Sequence, residues 1–378
     1  MKNFIKNNLR NFYVKYSLPM SVYFDESIDK KILICYIKSP FYFMNRPIKH
    51  SNVIESRIIA DTFKNMGFNV DVVDWQCKRN IDYSKYSLIF GFGLPYRNSF
   101  SNHDINLKRI CYLTGSNPNF SNKQEAMRIK KIYDDKKSLL SPRREAYWPW
   151  MNTAINSDML VLTGNSQTKS TYEGLVENIQ TVPVPIIPSK LKPNLSINSG
   201  ILWFGGSGAV HKGLDLVLEA ITNSSAKFTL DICGPIKGET DFFNMYQEKL
   251  NDERVNFHGM IDVSSNEMQK LIDRNSFIVL PSCSEGMASS VITCMQFGLI
   301  PIISKECGVD IGDHGILIEE LSISGVKTAI YKALNLNADE ILKMKKQAVE
   351  FIKKNNSHDS YRKHILNALK NFKNNTKY

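Results

Sequence analysis

Apolar residues recur along this chain in two patterns. Some runs are apolar at nearly every position, as in Lys31–Lys38 (KILICYIK), which predicts a strand buried on both faces. Others repeat every three to four residues. Asn52 opens such a stretch, with Glu55 at the spacing of a capping box. Ile54, Ile58, Ile59, Phe63 and Met66 form its apolar stripe, and Gly67 ends it. Asn69–Trp75, Tyr86–Gly93, Arg109–Gly115 and Asp158–Gly164 read as further strands, with helical stretches between the later ones. Strands alternating with helices predict a largely parallel sheet with right-handed crossovers.

From Thr181 to Gly200 the rhythm stops, in a segment with four prolines and no helical period. A second alternation follows. Its predicted strands are Ile201–Gly205, Lys227–Gly234, Val255–Gly259, Phe277–Ser282 and Ile300–Ser304. Its helices lie near Gly213–Asn223, Asp241–Leu250, Asn266–Arg274 and Ala288–Phe297. Leu214, Val217, Leu218 and Ile221 share one face of the first. The fold class is therefore α/β, with two doubly wound domains. They are residues 1–182 and 201–340, joined by a linker at 183–200 and followed by basic helices at 341–378. At 378 residues the chain is also too long for one ordinary core. Ligands of such sheets sit at the carboxyl ends of the strands, and a cleft between two domains is the default pocket.

Charge sharpens this picture. The formal net charge is +11, and it sits at the ends. Residues 343–378 hold ten Lys or Arg against Glu350 and Asp359, while Lys2, Lys6, Arg10 and Lys15 precede Tyr16 with no acid among them. The body between is close to neutral, unlike a nucleic-acid enzyme with a basic binding face, so no nucleic-acid partner is expected. Seven cysteines without a Cys-x-x-Cys pair make neither a disulfide framework nor a zinc ribbon. Cys35, Cys111 and Cys233 lie in apolar runs, as small hydrophobes in a reducing, cytoplasmic setting do. The segment 1–16 is too polar for a secretory signal. The uncharged stretch Gly286–Ser304 is broken by Ser289, Ser290, Thr293, Gln296, Gly298 and Pro301 into a helix, a turn and a strand.

Two segments carry candidate chemistry. The first, Trp203 to Gly213, includes Gly205, Gly206, Ser207, Gly208, His211 and Lys212, and leads into a helix. Glycines there admit close backbone approach, free N–H groups bind an anion, and the lysine adds a full charge. Its spacing is neither that of a Walker A loop nor of G-x-G-x-x-G, and a tight turn with a solvated lysine is the competing reading. The second runs from Pro281 to Ser290 and places Glu285 just before a helix whose first turn is small and polar. An anionic group fits at those unpaired N–H groups while Glu285 accepts from hydroxyls; a capping carboxylate without ligand is the alternative.

Together, Lys212-Gly213 opening a helix, Ser284-Glu285-Gly286 some 70 residues on, and Gly298-Leu299-Ile300-Pro301-Ile302 resemble the C-terminal half of retaining GT-B glycosyltransferases. The nearest likeness is to the family that includes bacterial polysaccharide and lipopolysaccharide glycosyltransferases. It extends from about Ile201 to Ser304 and is loose in the N-terminal half. The resemblance implies the GT-B architecture, two Rossmann-like domains facing a central cleft, with the last helix crossing back to the first domain. It implies that Lys212 binds the donor diphosphate and that Glu285, first Glu of an E-x7-E signature, contacts donor sugar hydroxyls. Gly286, Met287, Ala288, Ser289 and Ser290 would surround the donor; Gly206, Ser207 and His211 of the first segment are further donor-binding candidates, with a solvent-facing His211 as the alternative. Two positions depart from the family: Ser207 stands where an Arg is usual, and Thr293 where the second Glu holds the ribose.

The implied reaction moves a sugar, with retention, from a nucleoside-diphosphate donor to a hydroxyl of a growing surface glycan such as O-antigen or capsule. No cofactor or metal is expected, and no Asp-x-Asp or His/Cys cluster stands at ligand spacing. The alternatives are a GT-B nucleotide-sugar epimerase and a catalytically silent partner subunit, the latter motivated by Ser207 and Thr293. In the N-terminal half His50, following Arg46 and Lys49 after the first strand, is the candidate that faces the cleft. Thr114-Gly115-Ser116-Asn117 and the Arg143-Arg144 pair are further candidates; ordinary loop chemistry is the competing reading for all of them. Ile5, Leu9, Phe12, Tyr13 and Tyr16 share a helical face with Lys2, Lys6 and Arg10 beside it. Such a helix lies on an anionic membrane or packs on its own domain. The expected location is cytoplasmic, or peripheral at the inner membrane face beside a lipid-linked acceptor.

Overall fold

The structure is a computed structural model that describes residues 14–42, 48, 50–104, 106–147, 149–222 and 228–375. The N-terminal stripe up to Tyr13, Arg46, Lys49 and Lys227 fall outside the described residues.

The first sheet has seven strands: β1 (Met20–Tyr23), β2 (Lys31–Tyr36), β3 (Asn69–Asp74), β4 (Leu88–Gly91), β5 (Lys108–Leu113), β6 (Met159–Thr163) and β7 (Ile179–Val182). Their order is β1-β3-β2-β4-β5-β6-β7. All neighbours run parallel except β1, which pairs antiparallel with β3. The second sheet is wholly parallel. It contains β8 (Gly200–Phe204), β9 (Leu230–Cys233), β10 (Val255–Gly259), β11 (Asn275–Leu280), β12 (Ile300–Ser304) and β13 (Ile316–Ile318), in the order β10-β9-β8-β11-β12-β13. Because helices cover both faces, the central strands are buried throughout, which is why they read as unbroken apolar runs.

Six helices matter for the site: α1 (Ser51–Asn65), α2 (Pro118–Lys136), α3 (Leu214–Thr222), α4 (Ser289–Gln296), α5 (Ala338–Asn355) and α6 (His358–Asn375). The side chains of β2 alternate between two cores. Ile32 and Ile34 face α1, while Leu33 and Cys35 face Tyr96, Met151 and Leu162. The C-terminal helix α6 lays Tyr361, Ile365, Leu369 and Phe372 into the first of these cores, so the last segment packs against the first sheet.

The capping-box expectation at Asn52 and Glu55 is corrected here. Helix α1 starts one residue earlier and is capped by His50, whose Nδ1 accepts from the Asn52 N–H at 3.2 Å. Glu55 points inward instead. It accepts the hydroxyls of Tyr36 and Tyr112 at 2.7 and 2.9 Å, and Tyr361 of α6 meets Tyr112 at 3.0 Å. A buried carboxylate demands such partners, and here they tie the returning helix to the first sheet.

The proline-rich segment is fastened just as firmly. Fully buried Lys345 of α5 donates to the carbonyls of Asn194 and Ser196 at 3.1 and 2.7 Å. The Ile186 N–H donates to Asn356, whose amide donates to Val184, both at 2.8 Å. A second bridge joins the two halves away from this segment. Helix α2, which follows β5, sends Ile129 and Ile132 into the core of the second sheet, and Leu140 just beyond it does the same. All seven cysteines are free and buried. Among the described residues no helix is long and apolar enough to cross a membrane.

Candidate active site

The two sheets turn the carboxyl ends of their parallel strands toward each other. A cavity of about 330 Å³ lies between them, toward the small end of the roughly 300–1,000 Å³ of ligand sites. Its wall on the first half comes from the residues after β4, β5 and α2: Phe92, Thr114–Ser116, Arg143–Ala146 and Trp150. The other half contributes His211, Ser284, Glu285 and Gly286. Phe92 and Trp150 meet edge to face, with ring centroids 5.5 Å apart, so the first wall is aromatic where the second is polar.

Local chemistry fixes the polar wall. Lys212 ends the turn after β8, and Glu285 ends the segment after β11. Their side chains form a largely buried ion pair, while the Ser282 hydroxyl donates to the same Glu285 oxygen at 3.0 Å. Burial alone would raise the Glu285 carboxyl, but the positive charges of Lys212, His211 and Arg144 outweigh it and hold the group down at about 2. The His211 Nε2–H donates to the Ser284 carbonyl at 2.5 Å, and the His211 carbonyl accepts from the Cys283 N–H at 2.9 Å. The two predicted segments are thus sewn together side by side.

His211 is 2% exposed, and burial lowers its pKa below the ordinary 6.5, with the Lys212 charge adding to the effect. The unfolded chain binds a proton near pH 6.5 that the folded site refuses, so stability falls as pH drops below that value. His314, buried against Phe351, shifts the same way. We expect the melting temperature to decline as pH is lowered from 7 toward 5, and His211→Gln to flatten that slope. An unchanged slope in the variant would refute the assignment to His211.

The glycine-rich turn does not offer the free amides that its sequence suggests. The Gly208 and Ala209 N–H groups donate to the two oxygens of buried Glu239 at 2.6 and 3.0 Å. An internal carboxylate therefore occupies the anion-binding hollow of the loop. Gly206 and Ser207 stand exposed and do not line the cavity. The amides of Glu285 and Ala288 are also taken, by the carbonyls of Glu306 and Cys307 at 2.9 Å each. The N–H groups of Gly286, Met287, Ser289 and Ser290 have no acceptor among the described residues, and the last two open α4.

Two other predicted donor contacts, Met287 and Thr293, and the cleft candidate His50 have different partners. The Met287 sulfur accepts from the Val184 N–H at 3.2 Å, in the segment between the sheets. The Thr293 hydroxyl donates to the Ser289 carbonyl of its own helix at 2.8 Å, so it does not take the role of the family's ribose-binding carboxylate. His50 is exposed, serves as the cap of α1 and is not part of the cavity wall.

The halves touch at Glu285-Gly286. The hydroxyls of Ser116 and Thr168 donate to the carbonyls of these two residues at 2.5 and 2.6 Å. A β-carbon at 286 would collide with the Thr114 and Thr163 carbonyls, which explains why glycine follows the glutamate. Further along the interface, Asn165 donates to Asp310 at 2.7 Å. Among the described residues no cluster of three His, Cys, Asp or Glu side chains is placed to hold a metal ion.

Residues 198–335 match the model of the family described as Glycosyl transferases group 1. No curated protein matches the chain. Solved structures do, at low identity. Sucrose-phosphate synthase from Thermosynechococcus elongatus superposes with a TM-score of 0.64 at 14% identity, over 92% of this chain and 100% of the other. HepE from Anabaena, solved with UDP-glucose, gives 0.60 at 12% identity over 90% and 99%. A glycosyltransferase from Rickettsia africae gives 0.58 at 12% over 92% and 100%. Identities this low speak for the fold, while the family match covers the half that holds Lys212 and Glu285. Residues 198–335 thus match the model of the glycosyl transferases group 1 family, and the chain as a whole is built on the two-sheet GT-B frame of these structures.

Proposed function

We propose that the protein is a retaining, metal-independent glycosyltransferase that transfers a sugar from a nucleoside diphosphate to a hydroxyl of a growing surface glycan, O-antigen or capsule in kind. The observation that carries this reading is the Lys212–Glu285 ion pair, whose glutamate lines the cavity between the strand ends.

Departure of the diphosphate builds negative charge on its bridging oxygen. Lys212 supplies a preset ammonium against that charge, and the unpaired amides ahead of α4 add partial positive charge. Glu285 is ionised and free to accept from sugar hydroxyls, which fixes the sugar's orientation. The acceptor enters along the wall of Phe92 and Trp150, whose rings suit a sugar face, and its hydroxyl attacks the anomeric carbon from the side the diphosphate leaves. The departing phosphate oxygen takes the proton. HepE, of the same fold, was solved with UDP-glucose, which supports a nucleotide-sugar donor here.

The basic helices α5 and α6 expose Lys343, Lys346, Lys353, Lys354, Lys363 and Lys370. At about 1 kcal/mol per cation near an anionic surface, they would keep the protein beside a lipid-linked acceptor on the inner membrane face.

The test is calorimetry with UDP, GDP and ADP and their glucose conjugates, followed by product analysis with an acceptor mixture. One nucleotide should bind, with a melting temperature that rises with its concentration. Sugar converted without acceptor would point to an epimerase. Absence of binding by every nucleotide would leave a catalytically silent subunit.

A further inference from the structure

We propose that Arg144, carried by the first half of the chain, is the second cation of the diphosphate site and completes it from across the cleft. The inference rests on the nucleoside-diphosphate reading above.

The charges that line the cavity, taken with their ion-pair partners, nearly cancel without it. Lys212 is paired with Glu285, and the Arg143 guanidinium is paired with Asp241 at 2.5 Å. His211 is buried and disfavours its charged form, and Glu145 adds a negative charge on the solvent side. The Arg144 guanidinium, in contrast, lines the cavity and has no acceptor among the described residues. A diphosphate carries two to three negative charges, and one ammonium already shared with a carboxylate does not balance them. A guanidinium adds a planar fork that matches two phosphate oxygens.

The chain holds Arg144 in place by several contacts. Glu125, 2% exposed on α2, accepts the Arg144 N–H with both oxygens at 3.2 and 3.1 Å, and the Arg143 N–H at 3.0 Å. Asp241 of the second half clamps the preceding residues, taking the Ser141 N–H at 2.8 Å as well as the Arg143 side chain. The aliphatic stem of Arg144 then runs against Gly208, where φ is +92° and an added β-carbon would strike the Arg144 Cγ. Only glycine admits both the backbone and the arginine there. Gly208 adjoins Ser207, so the guanidinium enters beside the position at which the second half itself offers no cation. From there its charge reaches Glu285.

The experiment compares wild type with Arg144→Ala, Arg144→Lys and Lys212→Ala, using calorimetry with UDP, GDP and ADP and melting curves without ligand. For whichever diphosphate binds, Arg144→Ala should weaken affinity at least tenfold with an unchanged melting temperature, since the side chain is exposed. Arg144→Lys should recover part of the loss. A folded Arg144→Ala protein with wild-type affinity overturns the assignment; if Lys212→Ala then still weakens binding, the diphosphate site itself stands. Failure of wild type to bind any of the three overturns both.

Discussion

Lys212→Ala should lower the rate of the proposed sugar transfer by about 10²–10³-fold, the usual effect of deleting one preorganised donor to a charge that develops in the transition state. The loss falls on kcat more than on donor affinity to the extent that the ammonium binds the leaving diphosphate more tightly than the bound donor. Glu285→Gln keeps the shape and the hydrogen bond from Ser282 but removes the charge that faces Lys212 and the sugar hydroxyls. It should cost a similar factor. Because the two side chains act as one unit, the double variant should be little worse than either single one. Turnover is measured on protein whose melting curve is cooperative. Wild-type turnover in a folded single variant would remove these residues from the mechanism.

Lys212 and Glu285, which the structure brings into contact, both stand out in the sequence because their signals are local. Lys212 is set by a glycine-rich turn and the helix after it, and Glu285 by an apolar strand ending in small polar residues. The central strands were legible for the same reason, as unbroken apolar runs. Helix Asn266–Arg274 and strand Ile300–Ser304 fall where the periodicity puts them. What escaped were the edge strands β1, β7 and β13, only three or four residues each, too short for a period to register. Glu55 misled because its spacing from Asn52 fits a capping box, while the choice between capping and accepting buried tyrosines is made by tertiary packing.

The cleft shows the same division. Arg144, Glu125, Phe92 and Trp150 lie 60 to nearly 200 residues from the segments they face, and only the topology brings them there. Arg143-Arg144 stood out as a charged pair after a proline, but no local feature identifies Glu125 as its anchor. The capture of the Gly208 and Ala209 amides by Glu239 is likewise invisible to a motif. A glycine-rich turn advertises free N–H groups whether or not a distant carboxylate fills them.

Arg128→Ala should destabilise the protein by about 3–5 kcal/mol, the range for breaking a buried ion pair by removing one partner. Arg128 on α2 and Asp215 in the first turn of α3 pair across the interface of the two halves, with side chains 7% and 4% exposed. Arg128 Nε and Asp215 Oδ1 have no hydrogen-bond partner among the described residues, and once the guanidinium is gone neighbouring backbone N–H groups are what is left to compensate the carboxylate. Burial already pushes the Asp215 carboxyl up, against the pull of Arg128. Without Arg128 it rises further. A carboxyl raised above its unfolded value contributes most when protonated, so the variant should regain stability relative to wild type as pH is lowered. Replacing both residues by leucine removes the two charges together and should cost far less than either single change. Asp215 lies three residues after Lys212, and the same loss loosens the turn that presents the ammonium. Arg128→Ala should therefore weaken diphosphate binding along with stability, and the double leucine variant should restore both. Chemical denaturation at pH 7.5 and 5.5, paired with calorimetry, reads each effect. A single variant as stable as wild type, or a double variant no better than the single, would show that the apolar contacts of Ile129, Ile132 and Leu140 hold the halves together without the ion pair.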